Sequence, residues 1–86
     1  MWFTYIIYSK RMDKYYVGYT HDFELRLVRH NEGKSKFTSK GAPWELVYLE
    51  RYESKIFAIK REKEIKKKKS RKFIESLIEK AGGRPD

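Results

Sequence analysis

Apolar and aromatic residues gather in three short stretches, and the rest of the chain repeats at helical spacing. Phe3-Thr4-Tyr5-Ile6-Ile7-Tyr8 is aromatic and β-branched, a composition that packs on a pleated surface and predicts a strand. Lys10 to Lys14 is short and polar, which predicts a hairpin loop, so Tyr15 to Tyr19 becomes a second strand antiparallel to the first. Gly18 interrupts that strand. Glycine weakens a strand and marks a close approach to its backbone. Asp22 is suited to cap a helix over Phe23 to Asn31, with Gly33 as its stop. Phe23 and Leu27, four apart, face the core, while Arg26 and His30, also four apart, share a different face. Lys34 to Pro43 is a basic, flexible loop, and Trp44 to Leu49 a third strand.

Two helices follow. Ser54 caps one from about Lys55 to Lys68. Ser70 caps the next, in which Phe73, Ile74, Leu77 and Ile78 form an apolar stripe that Gly82-Gly83 ends. The order ββαβαα predicts an α+β fold, a small three-stranded antiparallel sheet flanked by helices. Residues 1–80 form one domain and 81–86 a short C-terminal tail.

Composition narrows what such a domain can do. At 86 residues with 16% aromatics, a small core is closed by large side chains. The absence of cysteine excludes a disulfide scaffold, thiol catalysis and thiolate zinc sites, and two histidines, His21 and His30, are too few for an imidazole zinc site. No apolar run is long enough to span a membrane or serve as a signal peptide, so a soluble, cytoplasmic protein is expected, monomeric by default. Charge changes the picture most. Twenty-one Lys and Arg against twelve Asp and Glu leave +9, a field that favours polyanions, most simply nucleic acid. The segment from Lys60 to Lys72 carries nine basic residues against Glu62 and Glu64, a net +7. Lys60, Lys63, Lys66, Lys67, Lys69 and Arg71 within it suit a surface that tracks a phosphate backbone, with no base-reading pattern to give sequence specificity.

Candidate chemistry follows from position. Ala58, Glu62 and Ile65 fall on one helical face, so Glu62 is either a partly desolvated carboxylate with a metal to hold or an edge residue paired with Lys66 or Arg61. Arg26 offers a planar fork for phosphate oxygens and His30 a group titrating near neutrality; the alternatives are an exposed arginine and a histidine at a helix C-terminus. Tyr15 and Tyr16 must point to opposite faces of their strand, one packing and the other reaching a groove.

Together these residues resemble the GIY-YIG endonuclease superfamily, above all its small single-domain members, and the N-terminal nuclease domain of the excision-repair nuclease. Tyr16-Val17-Gly18 stands as the second signature and Phe3-Thr4-Tyr5 as the first, without its glycine. Eleven residues separate Tyr5 from Tyr16 and ten more lead to Arg26, with His30 one turn later. Ala58-Ile59-Lys60-Arg61-Glu62 resembles the family's metal-binding glutamate motif, and the likeness runs from about Phe3 to Ile78. Tyr19 follows Gly18 where repair-type relatives have a lysine, and Lys66 to Lys72 offers no counterpart to a late asparagine of some relatives. The resemblance implies the GIY-YIG nuclease fold and a metal-dependent endonuclease cutting DNA, in repair or recombination, with RNA as another nucleic-acid partner. It implies one Mg²⁺ or Mn²⁺ on Glu62 and a catalytic set of Tyr5, Tyr16, Arg26 and His30. Tyr5 is the first candidate base and Tyr16 the second. Gly18 lets the backbone close against the neighbouring helix, and Tyr15 packs behind Tyr16. A domain of the same fold that binds nucleic acid without cutting it is the alternative.

Overall fold

The central strand is the first one, and that explains its lack of alternation. In a computed structural model that describes residues 1–33 and 38–82, β1 (Trp2–Ser9) lies between β2 (Lys14–Thr20) and β3 (Trp44–Tyr52), antiparallel to both. Phe3 through Ile7 are all buried, because helices cover both faces of the sheet and each side chain finds a core whichever way it points. On one face Tyr5, Ile7 and Trp44 pack with Leu27 of α1 (Phe23–Asn31). On the other, Ile6, Val17, Val47 and Tyr48 pack with Ile65 of α2 (Lys55–Lys68) and with Phe73, Ile74, Leu77 and Ile78 of α3 (Arg71–Lys80).

The strands run further than their apolar runs. β3 continues through Glu50-Arg51-Tyr52, three residues past the expected Leu49, because the polar end still pairs with Trp2, Phe3 and Thr4. A bulge shifts the register between Ile6 and Ile7, which pair with Tyr48 and Leu46 and leave Val47 as the extra residue. Asp22, Ser54 and Ser70 cap the three helices with their side-chain oxygens, as their positions predict. Gly33 stops α1 at φ +75°, a conformation glycine adopts without a Cβ penalty. Of the expected basic loop, 38–43 holds a short 3-10 turn, Ser39–Gly41, and a cis Ala42–Pro43 peptide; residues 34–37 and the tail from 83 lie outside the described residues.

Helix α2 is locked to the sheet by one half-buried carboxylate. Arg61 Nε donates to Glu50 Oε1 at 3.0 Å and its Nη2 to Oε2 at 3.2 Å, Tyr52 donates to Oε1 at 2.6 Å, and Tyr48 donates to Oε2. Burial opposes ionisation of Glu50, but the guanidinium and the two phenols hold its carboxyl below the usual range. The Thr4 hydroxyl, fully buried, donates to the Ala58 carbonyl at 2.8 Å and fixes the same helix near its start.

Candidate active site

Tyr5 and Gly18 are cross-strand partners, and the glycine exists for the tyrosine. A Cβ at position 18 would lie 2.4 Å from Tyr5 Oη and 2.6 Å from Cζ, so the phenol crosses β2 through the space a side chain would fill. The nearest neighbour of Gly18 is the Tyr5 ring across the ladder, a contact the expectation of packing against a helix did not include.

Beyond that crossing, four elements meet in a groove of about 250 Å³. β1 supplies Tyr5, β2 supplies Tyr16, Gly18, Tyr19 and Thr20, α1 supplies Arg26, and α2 supplies Glu62. Alternation along β2 sends Tyr16 here. Tyr15, on the opposite side, packs on the Tyr8 ring with centroids 4.9 Å apart. The Glu62 side chain is only 12% exposed and pairs with Lys66 Nζ at 3.4 Å. The carboxylate is thus paired with Lys66, as the edge reading expects, and it also opens on the groove. Arg61 is committed to Glu50 and, more loosely, to Glu64.

His30 stands elsewhere than expected. It is fully buried behind Tyr5 and does not line the groove. Its Nε2 lies 2.9 Å from Tyr5 Oη and its Nδ1 2.6 Å from Thr38 Oγ1, so both ring nitrogens are engaged. Arg26 and His30 share a helix but face different surroundings, one the groove and the other the core. Burial drives the imidazole down to about 4, with the nearby Arg26 charge adding to the effect, so His30 is neutral at pH 7. Burial likewise pushes the Tyr5 phenol up to about 12, against the pull of Arg26.

The supports of this pair were not legible in the sequence. Thr38 arrives from the loop, and its carbonyl accepts the Trp44 indole N–H at 2.7 Å. The Trp44 main chain is clamped by the Asn31 amide, which donates to the Trp44 carbonyl at 3.1 Å and accepts from its N–H. Loop residues carry no periodicity, so nothing in the pattern could have placed Thr38. Thr20 and Tyr19 could have been found by walking outward from Gly18 along β2.

The basic residues separate into two groups. Lys66 lies over the Tyr16 ring, 5.6 Å from its centroid, while Lys69 and Arg71 line a second cleft beside the groove. Lys60, Lys63 and Lys67 are exposed along α2 and line neither. Arg71 is occupied by Asp13 at 2.7 Å and Glu75 at 3.3 Å.

The groove offers one carboxylate, with hydroxyl oxygens of Tyr5, Tyr16, Tyr19 and Thr20 around it. Among the described residues no cluster of three or more His, Cys, Asp or Glu could enclose a metal. This donor set suits a hard divalent cation that keeps most of its waters and takes one protein carboxylate. No helix among the described residues is long and apolar enough to cross a membrane.

Comparison with known proteins gives the same direction. The family profile described as the GIY-YIG catalytic domain matches residues 1–74. A UPF0213 protein of Staphylococcus saprophyticus is 40% identical over 65 residues, 74% of this chain and 79% of that one. UPF0213 proteins of Staphylococcus epidermidis and Staphylococcus aureus are 50% and 48% identical over 52 residues, 59% of this chain. Those matches span 63% of the relatives' own length, short of two thirds. No solved structure matches the chain.

Proposed function

Because the chain belongs to the GIY-YIG catalytic domain family, a family of nucleases, we propose that it is a divalent-metal-dependent endonuclease that hydrolyses phosphodiester bonds in DNA. The observation that carries this reading is the convergence of Tyr5, Tyr16, Arg26 and Glu62, from four different elements, on one polar groove.

Each side chain has a role that its surroundings support. The Arg26 fork binds a non-bridging phosphate oxygen and stays with it as negative charge grows in the transition state. Glu62 would hold Mg²⁺ or Mn²⁺, which supplies charge neutralisation at the phosphate and at the leaving oxygen. Tyr5 is the first candidate to take the proton of the attacking water, and Tyr16 the second. Tyr5 is the better placed, since its oxygen contacts His30 at 2.9 Å and that neutral ring can donate to or accept from it. With its phenol near 12, Tyr5 reaches the phenolate only when positive charge gathers beside it, so its basicity is tied to a loaded groove. His30 acts on this tyrosine from behind and touches no substrate.

The test is cleavage of labelled single-stranded, duplex and branched DNA with Mg²⁺, with Mn²⁺ and with chelator, alongside Glu62→Ala. Cuts that need the metal and fall at least a hundredfold in the variant support the enzyme, and Arg26→Ala should lose about 10²–10³-fold. Tight binding with no cutting by the unaltered protein supports the second reading, a nucleic-acid-binding domain of the same fold. That reading is favoured by Lys66, whose ammonium already occupies the Glu62 carboxylate.

A further inference from the structure

The catalytic reading leaves unused a cleft of about 400 Å³ on the other side of the Tyr16 ring. It runs between the β2 edge, from Asp13 to Val17, and the junction of α2 with α3. Its floor is apolar, made by Val17, Ile65 and Ile74. Tyr16 forms a wall common to the cleft and the groove. Lys14, Lys66 and Lys69 form the rim, and Asp13 adds little negative charge because Arg71 and the Tyr8 hydroxyl already engage its carboxylate. Among the described residues β2 pairs with β1 and stands at the edge of the sheet, and residues Lys14 to Val17 of this edge strand line the cleft.

An apolar floor, an aromatic wall, the edge of a strand and a cationic rim fit one ligand chemistry. We infer that the cleft seats the unstacked base of the nucleotide next to the scissile phosphate, with its own phosphate on the lysine rim. This rests on the nuclease reading of the neighbouring groove. The base lies against Val17, Ile65 and Ile74, the free edge of β2 hydrogen-bonds its polar rim, and the Tyr16 ring separates it from the reacting phosphate. Stacking and backbone contacts of this kind hold single-stranded nucleic acid without strict sequence preference. The consequence is a substrate class. A base in the cleft has left its stack, so single strands and junctions with an unpaired nucleotide are cut in preference to uninterrupted duplex, where unstacking costs a few kcal/mol.

The experiment follows isoleucine and valine methyl resonances while thymidine 3′,5′-bisphosphate, thymidine or inorganic phosphate is added to the full chain. The bisphosphate should shift Val17, Ile65 and Ile74 and bind at least tenfold tighter than inorganic phosphate. Inorganic phosphate should leave those methyls unmoved. Lys69→Glu, on an exposed side chain, should weaken the bisphosphate at least threefold. Ile74→Gln should remove the methyl response, with the spectrum elsewhere reporting that the fold persists. Equal affinity for the bisphosphate and inorganic phosphate, or shifts confined to the groove, would overturn the proposal. The readout needs no turnover. A protein that shows the methyl shifts yet cuts nothing keeps the cleft and loses the nuclease reading, whereas one that cuts intact duplex as fast as single strands loses the cleft.

Discussion

A single methyl group tests the crossing of Tyr5 over Gly18. Gly18→Ala places a Cβ within 2.4 Å of a side chain that is itself only 2% exposed and tied to His30, so neither partner can yield cheaply. The expected cost is about 1–3 kcal/mol in urea unfolding, and cleavage should fall as far as it does in Tyr5→Phe, since the ring no longer reaches the groove. The imidazole behind it makes a second prediction. His30 titrates near 4 when folded and near its ordinary 6.5 when unfolded, so between those values the unfolded chain binds the extra proton. Stability is therefore full above about pH 6.5 and falls as the pH drops through 4, by about 3 kcal/mol in total. Chemical unfolding from pH 7 to pH 4 measures it, and in His30→Gln that part of the slope should disappear. Lys66 gives a third. Removing its ammonium in Lys66→Gln should tighten Mn²⁺ binding by about two- to fivefold, the worth of a partly exposed pair, as followed by water-proton relaxation.

At the scale of elements, the junction between α2 and α3 turns on Lys69, whose φ of 48° places a lysine in the left-handed region. Lys69→Gly should stabilise the fold by about 0.5–1 kcal/mol in thermal or urea unfolding, because glycine takes that conformation freely. Among the described residues the three strands and three α-helices were legible before the structure, since three apolar runs and three capping residues punctuate the chain, whereas the 3-10 turn Ser39–Gly41 was not. What the pattern could not show was the order of the strands. β1 reads as an ordinary aromatic strand, and only its pairing on both sides explains why Phe3 to Ile7 are buried without alternation. The groove residues Tyr5, Tyr16, Arg26 and Glu62 could be named only through the family resemblance that their order and separations carry; spacing alone left Arg26 and Glu62 open. The place of His30 could not, because a helical wheel sets it beside Arg26 and says nothing of the Thr38 loop that draws it into the core. The role of Gly18 was hidden for a similar reason, as its neighbour across the ladder depends on register and not on sequence distance.

Across the whole molecule the +9 charge is spread unevenly, with the densest part on α2 and the start of α3. Nucleic-acid affinity should therefore fall linearly on a log–log plot against salt, with a slope set by the phosphates neutralised, and the slope should shrink by about one for each rim lysine replaced by glutamine. The open edge of β2 has a different consequence when no nucleic acid is present. An unpaired strand edge invites the edge of another copy, and repetition of that pairing builds sheets without limit. Lys14 and Lys69 stand along this edge, and like charges on two approaching copies repel each other before backbone groups can meet. The same ammonium groups thus keep concentrated protein dispersed, and that protection belongs to low ionic strength, weakening as the Debye length shrinks to about 3 Å near molar salt.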